Sequence, residues 1–151
     1  MDAKYAINLA KATYREAYEQ AEVEKLLSVF AAEGFTDMSQ GLPSKYGREA
    51  RTVLRSQAKQ VFADYVVKLN IIIIDVVIQG DTAHDYGWHE WIFTPKAGGP
   101  VVRRRDRYFE LWIRELDGSW RISFFLNNAD VRERIGSSVS RWFMTEEPAN
   151  A

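Results

Sequence analysis

Asp85 and His89 fall four residues apart in Thr82 to Pro95, a run that alternates as a strand does, so their side chains share one face. A carboxyl group buried there would hold its proton more tightly and could act as acid or base. An imidazole titrates near neutrality and could do the same. Four strand residues separate the two by ~13 Å, too far for a direct pair, so each is a separate candidate for moving a proton. Plainer readings stand beside these. Asp85 could pair with an arginine or lie where the strand is exposed, and His89 could be a half-buried structural histidine. His84 points to the opposite face, so the two histidines cannot share a metal. The chain has no cysteine, which excludes disulfides, thiolate metal sites and a cysteine nucleophile. Carboxylate, tyrosine and one imidazole remain for chemistry, and no metal or cofactor is expected.

The elements that must position these groups follow from periodicity. Residues 2 to 32 read as helix, with Ile7, Ala10, Tyr14, Ala17, Tyr18 and Ala21 at three- and four-residue spacing. This places Tyr14 and Tyr18 on the apolar stripe, either packed in the core or offering hydroxyls to a ligand. Val23, Leu26, Leu27 and Phe30 form a second register, which predicts a bend near Glu22, and Gly34 ends the segment. A short strand or turn region around GFTDMSQGLPSKYG precedes a second helix over Arg48 to Val67. Leu69 to Gln79 is apolar almost throughout, as in a strand covered on both faces. Runs over 82–95, 101–116 and 119–128 follow, the last two joined by Asp117-Gly118, a strong hairpin signal. Helices first and an antiparallel meander afterwards make an α+β domain over residues 1–130. Residues 131–151 read as a C-terminal extension, helical over Ser138 to Met144 or frayed.

A two-residue turn at Asp117-Gly118 would pair Ile113 with Ile122, Leu111 with Phe124 and Phe109 with Leu126, an apolar face. Carried to the preceding strand, the same parity sets Ala83, Asp85, Gly87, His89 and Trp91 on that side, where Ala83 and Gly87 suit a closely approaching helix. Tyr86, Trp88, Tyr108, Trp112 and Phe125 then form an outer aromatic face that reads as an association surface, either for a second copy or for another part of the chain. A β-bulge would invert part of this assignment.

Arg103, Arg104, Arg105 and Arg107 crowd five residues, with alternation sending Arg105 inward. They suit a ligand carboxylate or phosphate, or ion pairs with Asp106, Glu90 and Glu110. The net charge is −1, so nucleic acid is not an expected partner. The start MDAKYAINLAK has no basic stretch followed by an apolar run, and Ile71 to Ile74 is far short of a bilayer span. A cytoplasmic protein without a membrane partner is expected.

The order of elements, together with EVEKLLSVFAAEGFTD (22–37), YGREA (46–50), QGDTAHDYGWHEWIFTPKAGGP (79–100), RYFELWIRELDGSWRIS (107–123) and NNAD (127–130), resembles the nuclear-transport-factor-2-like superfamily, nearest its SnoaL-like group. The resemblance implies a cone, a curved sheet wrapped around N-terminal helices, with a pocket at the open end and frequent dimerisation through the outer sheet face. It also brings in the ketosteroid isomerase mechanism, which needs an Asp base and an oxyanion hole of Tyr and protonated Asp. Tyr14 matches the tyrosine. The base position falls on Met38, with Asp37 expected on the opposite face, and the acid partner falls on Leu111, so this isomerase activity is argued against.

These readings combine into a homodimer whose pocket is lined by Tyr14, Tyr18, Phe35, Met38 and Trp91, with Arg105, Phe109, Leu111 and Asn128 completing it. Its ligand is a small hydrophobic molecule, with an anionic group compatible with the arginines. The expected chemistry is a cofactor-independent cyclase, isomerase or dehydratase step, with Asp85 or His89 moving the proton and Tyr14 polarising an oxygen. The alternative is a non-catalytic ligand-binding or dimerisation module.

Overall fold

Ile7, Lys11, Tyr14 and Ala17 are the buried residues of the first helix, α1 (Ala3–Glu19), and their spacing turns one stripe toward the sheet. Asp2 caps it, accepting from the Lys4 N–H at 3.3 Å. Ala21 takes a left-handed φ of 57°, a strained conformation for a residue with a Cβ, and the chain turns there into α2 (Val23–Leu27). The predicted bend lies at this point. A three-residue strand, β1 (Thr36–Met38), and a two-residue strand, β2 (Lys45–Tyr46), lead into α3 (Gly47–Asp64), which buries Ala50, Leu54, Ala58 and Phe62 at four-residue intervals. Lys96 closes the end of α3, donating its backbone N–H to the Asp64 carbonyl at 2.8 Å and its ammonium to the Phe62 carbonyl at 2.6 Å.

Four longer strands follow: β3 (Tyr65–Gln79), β4 (Thr82–Pro95), β5 (Val102–Arg114) and β6 (Trp120–Ala129). They form one six-stranded sheet in the order β2-β1-β6-β5-β4-β3. All neighbours are antiparallel except β1 and β6, which run parallel. The sheet curls around the helices without closing, which is the expected α+β cone. This computed structural model describes residues 1–130, so the expected extension and its Ser138 to Met144 stretch lie outside the described residues.

Three expectations need correction. Leu69 to Gln79 is not covered on both faces: β3, at the edge of the sheet, buries Val67, Leu69 and Val76 and leaves Val66, Ile73 and Ile74 exposed. The hairpin is wider than two residues: the Glu115 N–H bonds the Ser119 carbonyl at 2.8 Å, and Gly118 N–H bonds back to Glu115. Phe109 still faces Leu126 and Leu111 faces Phe124, but a bulge after Leu111 sets Trp112, not Ile113, against Ile122.

The third correction matters most. Between β4 and β5 the register puts Asp85 opposite Glu110 and Gly87 opposite Tyr108. The odd residues of β4 face the helices as expected, but in β5 the even residues do. Tyr108, Trp112 and Phe125, expected outside, are therefore buried within the cone, whereas Phe109 and Leu111 lie on the outer face with Tyr86 and Trp88. Polar groups tolerate the interior because they are paired there. Gly87 is needed for a different neighbour than expected: a Cβ would overlap the Ile72 carbonyl oxygen and lie within 3.2 Å of Ile73 Cα. It is the adjacent strand, at its bulge between Ile73 and Asp75, and not a helix, that presses on it.

Candidate functional site

The α1 stripe brings three groups to the sheet floor, one below the next. Lys11 is innermost, its ammonium 2.7 Å from Asp85 Oδ2 and 2.6 Å from Glu110 Oε2, with all three side chains at most 4% exposed. Asp85 also accepts from the Tyr108 hydroxyl at 2.8 Å and from Trp112 Nε1 at 2.7 Å. The Lys11 ammonium lies 4.2 Å from the centre of the Tyr108 ring. Two carboxylates face one ammonium. Burial, reinforced by Asp85, holds the Glu110 carboxyl well above the usual carboxylate range, favouring a neutral acid and a cluster without net charge. Asp85 is thus inside, as expected, but every neighbour it has engages it.

His89 lies one layer up, fully buried, its ring 4.2 Å from Tyr108 and 5.5 Å from Tyr14. Among the described residues neither ring nitrogen has a hydrogen-bond partner. Burial, then Lys11 and Arg104, depresses its pKa well below the usual histidine value, so a neutral imidazole packs as an aromatic plate. This has a consequence for stability. A histidine with a depressed folded pKa makes the unfolded chain bind the extra proton, so its contribution is lost as pH falls below about 6.5. Glu110, with a raised folded pKa, acts oppositely, and its contribution is lost as pH rises above the ordinary carboxylate range. Between about pH 4.5 and 6.5 the two contributions therefore oppose each other. His89→Phe removes one of them. Urea unfolding of that variant should show stability falling more steeply with rising pH across this window than the parent's does; parallel profiles would contradict the assignment.

Above His89 the cone opens into a cavity of about 440 Å³. Tyr14 and Tyr18, with rings 5.1 Å apart, form one wall, and Trp91 meets Tyr18 edge-on at 4.8 Å. Phe30, Phe35, Phe93 and Phe125 extend the aromatic lining. Burial pushes the Tyr18 hydroxyl up to about 12 and raises Tyr14 as well, so both stay protonated donors. Arg104 grips Asp106 through Nε at 2.9 Å and through its terminal nitrogen at 2.8 Å, with its guanidinium near the rings of Trp91 and Phe93. Burial raises Asp106, and Arg104 opposes it.

One carboxylate in the cavity has no cation among its described partners. Asp37 is 7% exposed and accepts from the Ser39 N–H at 3.1 Å and from the Ser39 hydroxyl at 2.5 Å. Burial raises its pKa, and the two Ser39 bonds only partly offset this. It reaches the cavity because β1 pairs with β6 so that Asp37 stands beside the inward Phe125, while Met38 stands beside the outward Leu126. The expected faces of Asp37 and Met38 are exchanged.

Of the residues expected in the pocket, Tyr14, Tyr18, Phe35 and Trp91 line the cavity. Asp85 and His89 lie beneath it. Arg105 points outward to Glu90 and Asp130, at 2.9 and 3.3 Å, and Asn128 is exposed, as the inverted β5 parity requires. Of the buried charged groups here, Lys11 was missed and Asp37 was placed on the wrong face. The first was signalled by its place four residues after Ile7 and three before Tyr14, since a cation on an apolar stripe demands an anion opposite. The second was signalled by the Asp-x-Ser spacing, which favours a local side-chain turn that fixes the carboxylate.

Comparison with known proteins agrees with this architecture. The SnoaL-like domain family matches residues 1–125. A search of curated proteins finds no match. Among solved structures, a conserved protein from Planctomyces limnophilus aligns with a TM-score of 0.75 at 17% identity, covering 84% of this chain and 97% of its own. A ketosteroid isomerase-like protein from Erwinia carotovora gives 0.71 at 21% identity, covering 85% and 96%. A nuclear-transport-factor-2-like superfamily protein from Salmonella enterica gives 0.71 at 12%, covering 88% and 94%. At these identities the structures establish the fold and leave activity to the site. With helices, curled sheet, order of strands and matched residues in agreement, the chain belongs to the SnoaL-like domain family and shares the fold of its nuclear-transport-factor-2-like structural neighbour.

Proposed function

We propose that the cavity binds a small, uncharged, ring-containing carbonyl compound and that Asp37 transfers a proton within it. The observation that carries this reading is a buried carboxylate, free of any cation among its described partners, in an aromatic cavity with two protonated tyrosines. Asp37 takes a proton from the carbon next to the carbonyl, the electron pair moves onto the carbonyl oxygen, and the Tyr14 hydroxyl donates a hydrogen bond to that oxygen. Where a carbon–carbon double bond adjoins that carbon, the enolate extends over it, and return of the proton to the far carbon of the double bond gives an isomer and restores the carboxylate. An anionic substituent is less well served than the arginine run suggests, because Arg104 already holds Asp106. The ketosteroid isomerase-like name of the Erwinia neighbour is compatible with this chemistry and no more. Asp37 inside the cavity also removes the ground on which Met38 argued against such a reaction.

Proton exchange tests this without knowledge of the natural substrate. Cyclic ketones incubated with the protein in D2O should gain deuterium next to the carbonyl, and Asp37→Asn should slow this by about 10²-fold or more. The rate should also fall as acid protonates Asp37, whose raised pKa shifts that limb toward neutrality. Retention of a ring compound without exchange would instead favour a binding module. Exchange undiminished in Asp37→Asn would remove Asp37 from the reaction.

We further propose a homodimer through the outer sheet face. Tyr86, Leu111 and Leu126 are each more than a third exposed there, around a hollow of about 390 Å³ lined by Trp88 and Phe109. Sedimentation equilibrium should give twice the chain mass of 17.4 kDa, and Leu111→Lys should shift the protein toward monomer. A parent protein that stays monomeric at high concentration would exclude this arrangement.

A further inference from the structure

The loop between β1 and β2 runs over the cavity, with Ser39, Gln40, Gly41 and Leu42 all contributing to its lining. One residue ties it to the far wall. The Gln40 N–H donates to Asn127 Oδ1 at 2.8 Å, and the Gln40 side-chain oxygen accepts from the Ala129 N–H. Both bonds cross from the loop to the end of β6. Beyond Gln40 the chain turns at once, with Gly41 at a φ of 75° and the Leu42 N–H bonded to the Ser39 carbonyl at 3.2 Å. Immediately before it stands Ser39, both of whose donors rest on Asp37. The fastening of the loop and the solvation of the carboxylate therefore meet in adjacent residues.

We propose that Gln40 is a positioning residue that latches the 39–42 loop across the cavity and thereby holds Ser39 on the Asp37 carboxylate. The inference rests on the assignment of Asp37 as the base. Its physical content is a competition. Removal from water disfavours the ionised carboxylate, whereas two donors from Ser39 favour it. A base must be ionised before it can accept a proton, so closing the loop prepares Asp37 when the cavity is shut. Opening it withdraws Ser39 and leaves a carboxylate that keeps its proton more readily. Access to the cavity and readiness of the base become one event, and Gln40 controls it without touching the reacting atoms.

The test reads the Asp37 carboxyl carbon directly by NMR titration in the full chain, so it needs no substrate. Ser39→Ala should move the titration midpoint upward, because the hydroxyl donor is lost and only the backbone N–H remains on the carboxylate. Gln40→Met, which keeps the length of the side chain and removes its acceptor, should move the midpoint in the same direction, and adding Asn127→Ala should move it further. Amide hydrogen exchange gives a second reading: in Gln40→Met the Ser39 N–H should lose protection together with the Gln40 N–H. If Ser39→Ala moves the midpoint but Gln40→Met with Asn127→Ala leaves both the midpoint and Ser39 protection unchanged, the latch is refuted. If Ser39→Ala itself has no effect, it is refuted as well. Neither result bears on whether Asp37 is the base, which is decided separately by ketone deuteration in Asp37→Asn.

Discussion

Replacing Lys11 by methionine is expected to destabilise the protein by about 3–5 kcal/mol, the usual cost of removing one partner from a buried ion cluster. The methionine fills most of the volume, so the loss is not chiefly one of packing. Asp85 and Glu110 would face each other without the ammonium that lies 2.7 and 2.6 Å from them. Asp85 keeps the hydroxyl of Tyr108 and the indole of Trp112, and Glu110 must then stay protonated. The folded pKa of the acid is driven further up, so the variant should be least impaired below the ordinary carboxylate range and lose stability steadily as pH rises. Urea unfolding at pH 4 and pH 8 measures this directly. Adding Glu110→Leu to Lys11→Met removes the surplus carboxyl group and should recover much of the loss. A lysine that merely covered the surface would give a variant within about 0.5 kcal/mol of the parent at both pH values.

Gly87→Val is the second substitution with a large expected effect, about 3 kcal/mol or more. Adding a side chain here does not press on another side chain that could change rotamer. The first atom added overlaps a backbone oxygen, that of Ile72, with its carbonyl carbon 3.0 Å away. Relief requires β3 to move off β4 at the point where its register already shifts. The variant should unfold at lower denaturant concentration and lose protection first at amides of β3. Gly87→Ala should show the same pattern at smaller amplitude. A valine variant with parental stability would mean that the edge strand yields freely there.

Much of the fold was legible because it follows from periodicity and punctuation. The apolar stripe of α1, the four-residue spacing of α3 and the strand runs around Gly80-Asp81 and Asp117-Gly118 each carry their own local signal. The facing of β5 was not legible in the same way. From Tyr108 to Arg114 its odd residues are the more apolar, and assigning the more apolar face to the interior is ordinarily sound. Here the interior takes Glu110, Tyr108 and Asp106 because Lys11, Asp85 and Arg104 satisfy them, a condition visible only when separate elements are brought together. Asp37 was lost for a smaller reason. In a three-residue strand one step of register exchanges a carboxylate for a thioether, and no run of alternation exists to fix it. Asp85 and His89 were rightly turned inward, yet a position inside a cone is not a position in its cavity.

The parity of β5 has a consequence for how variation along it should be read. From Arg103 to Ile113 the strand carries two interleaved texts, even-numbered residues addressed to the interior and odd-numbered residues to whatever meets the outside of the sheet. Changes at odd positions can alter association while the cavity keeps its shape, and changes at even positions can do the reverse. A chain built this way can exchange its partners and its ligands on separate schedules, although the two sets of instructions are never more than one residue apart.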